Sequence, residues 1–210
     1  MKNIYGDYIW VLIRTATLRD KEGNPLKIVG VILDIDRAKK SEQQLTTRAS
    51  FDALTELYNR ETIESQIDNE ITLSEARKSE MAVLFIDVDD FKHYNDQYSH
   101  ATGDQVLKFV ARTIKGTVNE FGFAGRYGGD EFIACIRNAE INDPTRAAQD
   151  IISKLEEGFE CDGVHLTVSV SIGISMIKDD YNTRVEYIIG KADDAMYSVK
   201  KNGKSNYAFI

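Results

Sequence analysis

An uninterrupted apolar run, Met81 to Ile86, limits the possible folds of this chain more than any other segment. Its six residues match the length of a β-strand, and the lack of polar alternation indicates a strand that is buried on both faces. The acidic segment Asp87-Val88-Asp89-Asp90 follows directly. Carboxylates at the end of such a strand lie at the sheet edge where open α/β folds bind ligands. We therefore predict a central strand that carries acidic side chains to one end of a sheet.

Downstream of Phe51, helical and strand patterns alternate along the chain. Ile63, Ile67 and Ile71 recur four residues apart, which predicts a helix over residues 60–76 with one buried face. Further helices are predicted over residues 104–118, from Pro144 onward and over 185–199, and further strands over 123–127, 131–136, 164–175 and 207–210. The alternation predicts an α/β (α+β) domain in which helices flank a mixed sheet.

The segment before residue 50 follows a different pattern. Strand-like residues at 8–17 and 26–33 enclose the turn Asp20-Lys21-Glu22-Gly23-Asn24-Pro25, which predicts a β-hairpin. A hairpin of this size has too little chain around it to form an independent core. The polar, helix-favouring stretch 36–49 then predicts a connecting helix.

Composition excludes several classes of protein. Hydrophobic residues make up 42% and charged residues 29% of the 210, which is ordinary for a globular protein and argues against a disordered chain. No apolar run approaches the roughly 18 residues of a membrane span, and we recognise no secretory leader. The two cysteines, Cys135 and Cys161, predict reduced thiols and a cytoplasmic location. A net charge of −8 argues against nucleic-acid binding but allows a nucleotide held through a metal ion.

Three clusters of residues suggest chemistry. After the buried strand, Asp87 to Asp90 and the nearby Lys92 suit Mg²⁺ and phosphate, since Mg²⁺ is bound by one or two carboxylates together with substrate phosphates. The alternative is structural, with Asp89 or Asp90 capping a helix and the other charges solvated. Both interpretations stay open on these residues alone.

The other two clusters also have structural alternatives. Gly128-Gly129 precedes two acidic residues, and it either admits a ligand to the backbone or forms an ordinary hairpin turn. Lys200 and Lys204 are four apart and are expected to project from one helical face, near a helix end that Gly203 can cap. Favourable interaction of these lysines with the helix C-terminus is the alternative to ligand binding.

Taken in order, these segments resemble the GGDEF family, the diguanylate cyclases. The signature is intact as Gly128-Gly129-Asp130-Glu131-Phe132 and is preceded by Arg126-Tyr127. The resemblance covers about residues 48–210, and an ordered set of matches is far more specific than one pentapeptide. The other matching segments are Asp52 to Arg60, Asp87 to Asp96, His100 to Asp104, Val170 to Ile174 and Tyr197 to Asn206.

The resemblance implies a ferredoxin-like sheet of the polymerase-palm, nucleotidyl-cyclase type, and a reaction that joins two GTP into cyclic di-GMP. It implies Mg²⁺, or Mn²⁺, held by Asp87, Asp130 and the Val88 carbonyl. Asp130 is also the base expected for the ribose 3′-hydroxyl, with Glu131 as a further catalytic carboxylate. The resemblance also implies three sets of substrate contacts. The expected guanine readers are Asn95 and Asp104, and the lysines that hold the triphosphate are Lys92, Lys200 and Lys204. The glycines expected beside the nucleotide are Gly128 and Gly129.

Some positions depart from the family pattern. Glu56 and Ser99 replace usual glycines and Tyr58 replaces a frequent proline, and none of them is a presumed ligand. Many members carry an Arg-x-x-Asp product site upstream of the signature, but Asn119 and Gly122 occupy those positions here. Without that guanidinium and carboxylate, we predict no product inhibition through this site.

The family's mechanism places one GTP in each of two facing domains, so the resemblance implies a homodimer, with the connecting helix as its dimer element. Residues 1–35 resemble the C-terminal end of a PAS sensor domain, residues 36–49 the connecting helix, and residues 50–210 the cyclase domain. Two alternatives to a cyclase are a catalytically silent GTP-binding module and a cyclic di-GMP receptor. The intact Asp87, Asp130 and Lys92 argue against the first, and the missing Arg-x-x-Asp pair argues against the second.

Overall fold

The computed structural model describes residues 1–2, 6, 8–40, 50–140, 142–178 and 183–210. They divide into two compact units, Met1–Ala49 and Ser50–Ile210. None of the helices in these described ranges combines the length and the apolar character needed to cross a membrane.

The first unit is a β-hairpin. Strands β1 (Val11–Arg19) and β2 (Pro25–Asp34) pair antiparallel, so β1 begins later than the predicted residue 8. Asp20 closes the turn, because its Oδ1 accepts hydrogen bonds from the backbone N–H of Glu22 and Asn24 at 3.0 and 2.8 Å. Within the described part of this unit, apolar side chains on both faces are exposed, and the hairpin has no core of its own, as predicted.

The residues after the hairpin are helical over 36–40, where the connecting helix is predicted to begin. The remainder of that predicted helix, residues 41–49, lies outside the described residues. The assignments of the PAS end and of the connecting helix stay predictions.

The second unit contains the remaining elements. Its helices are α1 (Arg60–Arg77), α2 (Phe91–Gln97), α3 (His100–Val118), α4 (Asp143–Glu157) and α5 (Val185–Lys201). Its strands are β3 (Met81–Val88), β4 (Gly122–Gly128), β5 (Glu131–Arg137), β6 (Phe159–Cys161), β7 (Val164–Leu166), β8 (Val170–Ile177) and β9 (Asn206–Phe209). Strands β6 and β7 form a separate two-stranded ribbon.

A five-stranded sheet in the order β4-β5-β3-β8-β9 organises this unit. Strand β9 runs parallel to β8 and every other neighbouring pair is antiparallel, so the sheet is mixed. Strand β3 is central and all eight of its residues are buried, as the apolar run predicts. The arrangement confirms the predicted α+β fold with helices flanking a mixed sheet.

The side chains of β3 alternate between two cores. Ala82, Leu84, Ile86 and Val88 pack with α3 and α4, whereas Met81, Val83 and Phe85 pack with α1 and α5. Successive side chains of a strand point to opposite faces. Asp87 therefore follows Phe85 onto the face that α5 covers, and this alternation decides which helix can reach its carboxylate.

Helix α5 packs closely against the sheet at Gly173. A Cβ added to Gly173 of β8 would overlap the backbone oxygen of Ala192 and the backbone nitrogen of Met196, both in α5. Glycine at position 173 therefore sets the height of α5 above β8. Lys200 stands in the last turn of the same helix, so this contact also fixes how far Lys200 reaches.

The helices differ from the prediction in two respects: one begins earlier, and one was not predicted. Helix α3 begins at His100 rather than at residue 104, because the Ser99 side chain accepts a hydrogen bond from Thr102 N at 3.1 Å and caps it. Ser99 thus gains a capping role at a position where the family usually has glycine. Helix α2 was absent from the predicted elements, since it is short and buries none of its residues fully.

The other departures from the family pattern also have local consequences. Glu56 adopts φ +58°, in the left-handed region that glycine enters without steric cost. Tyr58 donates its backbone N–H to the Ala124 carbonyl at 3.3 Å and its ring stacks on Phe51 at 5.0 Å. A proline at position 58 would have no N–H for the hydrogen bond to the Ala124 carbonyl.

Candidate active site

The predicted metal and catalytic carboxylates meet at one end of the sheet. Asp87, near the end of β3, lies directly opposite Glu131, the first residue of β5. Asp130 precedes Glu131 in the turn, and its carbonyl accepts a hydrogen bond from Val88 N at 3.2 Å. Antiparallel pairing of β3 with β5 thus brings together residues more than forty positions apart in the sequence.

Asp87 is the most deeply buried of these acids, with 5% of its surface exposed. Its Oδ1 lies 2.6 Å from Nζ of Lys200, whose side chain is 30% exposed. Burial raises the pKa of the Asp87 carboxyl, the Lys200 ammonium opposes that rise, and the carboxylates of Asp130 and Asp89 add to it. Lys200 therefore supplies the positive charge that a buried carboxylate requires.

Glu131 shares this crowded electrostatic environment. Burial raises the pKa of its carboxyl, and the negative charges of Asp87, Asp130 and Asp193 raise it further. Sequence reasoning missed Asp193, which stands on α5 and whose own carboxyl pKa is raised by burial and by Asp194. A concentration of carboxylates of this kind favours a cation.

The donor chemistry fits a hard divalent cation. Asp87, Asp130 and Glu131 supply carboxylate oxygens at one strand end, and oxygen ligands are those that Mg²⁺ prefers. Throughout the described ranges, however, no three His, Cys, Asp or Glu side chains converge closely enough to enclose a metal ion. The carboxylates are present, but in this arrangement Lys200 neutralises Asp87.

The second lysine also contacts an acid. Lys204 Nζ lies 2.7 and 2.8 Å from the two carboxylate oxygens of Asp90. The expectation that Lys200 and Lys204 project from one helical face is wrong, because α5 ends at Lys201 and Lys204 has φ +64° in the following loop. Gly203 does serve the helix end as predicted, with φ +116° and with Lys204 N bonded back to the Val199 carbonyl at 3.2 Å.

Asp90 does not cap a helix through its side chain. It occupies the N-cap position of α2 with φ +53° and makes no capping hydrogen bond there. Its carboxylate instead faces Lys204, which holds the pKa of the Asp90 carboxyl below its ordinary value. The alternative prediction that the Asp90 side chain caps a helix is therefore wrong.

Asp89, the other predicted cap, is an internal anchor. It is buried, and its carboxylate accepts hydrogen bonds from the hydroxyls of Ser169 and Ser171 and from the backbone N–H of Ser205. These bonds tie the end of β3 to β8 and to the loop that carries Lys204. The sequence showed three nearby aspartates but no signal that separated the anchor from the others.

The predicted guanine readers lie on adjoining helices. Asn95 is on α2 and Asp104 is exposed in α3. A Cβ on Gly103 would overlap Oδ1 of Asn95, so the absent side chain at 103 lets the two helices approach. Lys92 is exposed on α2, and the structure places it on the same short helix as Asn95.

Arg126 holds the signature turn at Gly128-Gly129 in place through hydrogen bonds. Gly129 has φ +49°, which suits glycine, and an added Cβ there would meet open space, whereas one at Gly128 would lie 3.9 Å from Glu131 Oε2. Arg126 donates Nε and Nη2 hydrogen bonds to the Gly129 carbonyl at 3.0 and 2.6 Å, and Nη1 to Asp52 at 3.2 Å. Asp52 also accepts from Thr55 N at 2.9 Å. The Asp52 and signature segments, recognised separately in the sequence, are thus one connected unit.

The opposite end of the strands carries different chemistry. Arg137 ends β5 opposite Met81, and it lines a cleft of about 700 Å³ together with Arg77 and Arg146. The positions of the family's product site are near this end. Gly122 cannot gain a side chain without strain, because an added Cβ would overlap the Cys135 carbonyl oxygen.

Comparisons with known proteins agree with this architecture. Residues 49–206 match the family described as "Diguanylate cyclase, GGDEF domain". The signaling protein YkoW of Bacillus subtilis is 34% identical over 178 residues, which cover 84% of this chain and 22% of that protein. Diguanylate cyclase A of Treponema denticola is 38% identical over 136 residues, 64% of this chain and 36% of that protein.

A solved structure extends the comparison to three dimensions. The GGDEF domain of TpbB, or YfiN, from Pseudomonas aeruginosa matches with a TM-score of 0.72 and 33% identity, covering 76% of this chain and 93% of that one. Against the two curated relatives, by contrast, this chain spans well under half of their length.

Proposed function

Because this chain belongs to the GGDEF family of diguanylate cyclase domains, we propose that it condenses two GTP molecules into cyclic di-GMP with release of two pyrophosphates. The observation that carries the proposal is the meeting of Asp87, Asp130 and Glu131 at one strand end, with Lys200 beside them. Carboxylates and ammonium groups in one place suit a metal-bound triphosphate.

Metal binding falls to a small set of oxygen donors in this proposal. The carboxylates of Asp87 and Asp130 and the Val88 carbonyl would hold Mg²⁺, for which Mn²⁺ is a substitute. When bound, the ion neutralises phosphate charge and lowers the pKa of the attacking hydroxyl. Asp130 then accepts the proton of the ribose 3′-hydroxyl, and Glu131 is the neighbouring catalytic carboxylate.

The remaining residues orient the nucleotide. Asn95 and Asp104 read the guanine, since a carboxylate accepts the N1 and N2 hydrogens that adenine does not offer as a pair. Lys92, Lys200 and Lys204 bind the triphosphate. In the free chain Lys200 and Lys204 bind Asp87 and Asp90, so nucleotide binding requires them to exchange partners.

Phosphodiester formation requires two nucleotides in line. The 3′-oxygen of one GTP attacks the α-phosphate of the other as pyrophosphate departs, so positioning and electrostatics do most of the catalysis. Two copies of the domain face each other in this proposal, with the helix over 36–49 as the dimer element. The two cysteines, both free and buried, agree with action in the cytoplasm.

The decisive experiment is incubation with GTP and Mg²⁺ followed by chromatographic separation of the nucleotides. The native chain should form cyclic di-GMP, and Asp130→Asn should form none. Asp68→Asn, an exposed carboxylate on α1, is the matched control and should retain the native rate.

Two other outcomes have defined meanings. GTP binding without product, repeated in a chain whose dimer is enforced by a fused coiled coil, would identify a silent GTP-binding module. Product formed only by the enforced dimer would support the proposed cyclase activity and show that dimer formation limits that activity. Binding of cyclic di-GMP with no binding of GTP would identify a receptor instead.

A further inference from the structure

The contact between Lys200 and Asp87 has a consequence for metal binding. Asp87 is a buried carboxylate, and its neighbours Asp130 and Asp89 are negatively charged. Ionising it in that position requires a compensating charge close by. The Lys200 ammonium at 2.6 Å supplies this charge.

The position of Lys200 is fixed by the fold. It stands in the last turn of α5, and α5 is held against β8 by the close approach at Gly173. The contact differs from that of Lys204, whose partner Asp90 has 69% of its side chain exposed. Solvent screens the Lys204 pair strongly, whereas the Lys200 pair is shielded on the Asp87 side.

An ammonium at this distance competes with a divalent cation for the same carboxylate. The two cations repel each other if both lie beside Asp87. A triphosphate removes the conflict, because its negative charge attracts the ammonium while the metal ion takes the carboxylate.

We propose that Lys200 is a built-in counter-cation that keeps divalent-metal affinity low until a nucleoside triphosphate arrives. The inference rests on the proposed function, because it takes Asp87 as a metal ligand. Metal and nucleotide then bind with positive coupling, and by linkage each raises the affinity of the other by the same factor. The free chain is thereby kept from holding a metal ion without its substrate.

The test is a titration with Mn²⁺ alone, in which electron paramagnetic resonance measures free Mn²⁺. Lys200→Met removes the charge and retains the length of the side chain. It should bind Mn²⁺ on the order of tenfold more tightly than the native chain, once the Coulomb repulsion is discounted for solvent screening. Lys201→Met, the adjacent exposed lysine that contacts the Tyr197 ring, is the matched control and should match the native affinity.

Two further variants locate the effect. Lys200→Arg retains a cation and should keep the weak native affinity, and Lys200→Gln, which also removes the charge, takes the place of Lys200→Met if that variant fails to fold. Adding Asp87→Asn to Lys200→Met should abolish the gain, since the ligand is then absent. Equal Mn²⁺ affinity in the native chain and Lys200→Met would overturn the proposal, as would an equal gain in Lys201→Met.

Coupling to nucleotide gives an independent readout. A non-hydrolysable GTP analogue should raise the Mn²⁺ affinity of the native chain about tenfold more than it raises that of Lys200→Met. An equal rise in both would refute the exchange of partners. None of these titrations requires turnover, so a chain that binds Mn²⁺ as expected but makes no cyclic di-GMP would contradict only the proposed function.

Discussion

Replacement of Gly173 by alanine tests how closely the site depends on helix packing. The added Cβ would lie 2.9 Å from the Met196 Cβ and still closer to the Ala192 backbone oxygen, so α5 must move. Carbon atoms reach their optimal separation at about 3.5–4.0 Å, so relief of the Met196 contact alone needs a displacement of at least about 0.5 Å. Relief of the backbone overlap needs more.

The expected cost follows from this displacement. Overpacking of a core costs about 1–3 kcal/mol, and the upper end applies because the obstructing atoms at Ala192 are backbone. A gap of 0.5–1 Å also removes about a quarter to a half of the dispersion energy of each separated contact. We therefore expect Gly173→Ala to lower the free energy of unfolding by about 3 kcal/mol, which for a domain of this size lowers Tm by about 6–12 °C.

The assay compares thermal and urea unfolding of Gly173→Ala with Gly190→Ala. Gly190 lies in the same helix, but a Cβ there meets nothing within 4 Å, so alanine should stabilise by about 0.5–1 kcal/mol through helix propensity. Opposite signs for the two variants would support the packing argument. An unchanged or raised Tm for Gly173→Ala would refute it and would remove the reason given for the reach of Lys200.

Three further predictions concern other parts of the domain. Burial alone would raise the pKa of the Asp52 carboxyl, but hydrogen bonds from Thr55 and the Arg126 guanidinium outweigh it and hold that pKa below its ordinary value. The ionised Asp52 carboxylate therefore stabilises the fold above its unfolded pKa, and this stabilisation is lost as pH falls below about 4. The Tm of Asp52→Asn should fall less steeply with acidification than the native Tm, and an equally steep fall would contradict this. Glu56→Gly should raise the free energy of unfolding by about 0.5–1 kcal/mol in urea titrations, since it relieves a left-handed φ of +58°; a decrease would disprove the strain. Added micromolar cyclic di-GMP should leave the rate of the proposed reaction unchanged, because Asn119 and Gly122 replace the charged pair; a sharp fall with product bound there would contradict this prediction.

Much of the fold follows from local sequence. The apolar run of β3 predicted a central buried strand, and the isoleucine spacing predicted α1, because burial on two faces or on one helical face imposes those periods. The ends of elements were less accurate. Helix α3 begins at His100, directly after its cap Ser99, and Gly103 in its first turn hid this start in the sequence. The short α2 buries too little to leave a periodic signal.

The identity of the candidate carboxylates also came from sequence, through the ordered segments that resemble one family. Their partners did not. Asp87 contacts Lys200, Asp90 contacts Lys204 and Arg126 joins Asp52 to the signature turn, and each contact crosses 74 or more positions.

Sequence by itself determined the central strand, the helical faces and the residue types gathered for phosphate and metal chemistry, since these depend on hydrophobic period and on local motifs. Tertiary structure alone decided that Asp89 is an internal anchor and which distant lysine each of Asp87 and Asp90 contacts. Asp89 turns inward to Ser169, Ser171 and Ser205, whereas Asp87 faces α5 because the strand alternation puts it on that side. A single residue, Val88, separates these aspartates in the chain, and only packing against distant strands and helices makes their environments different.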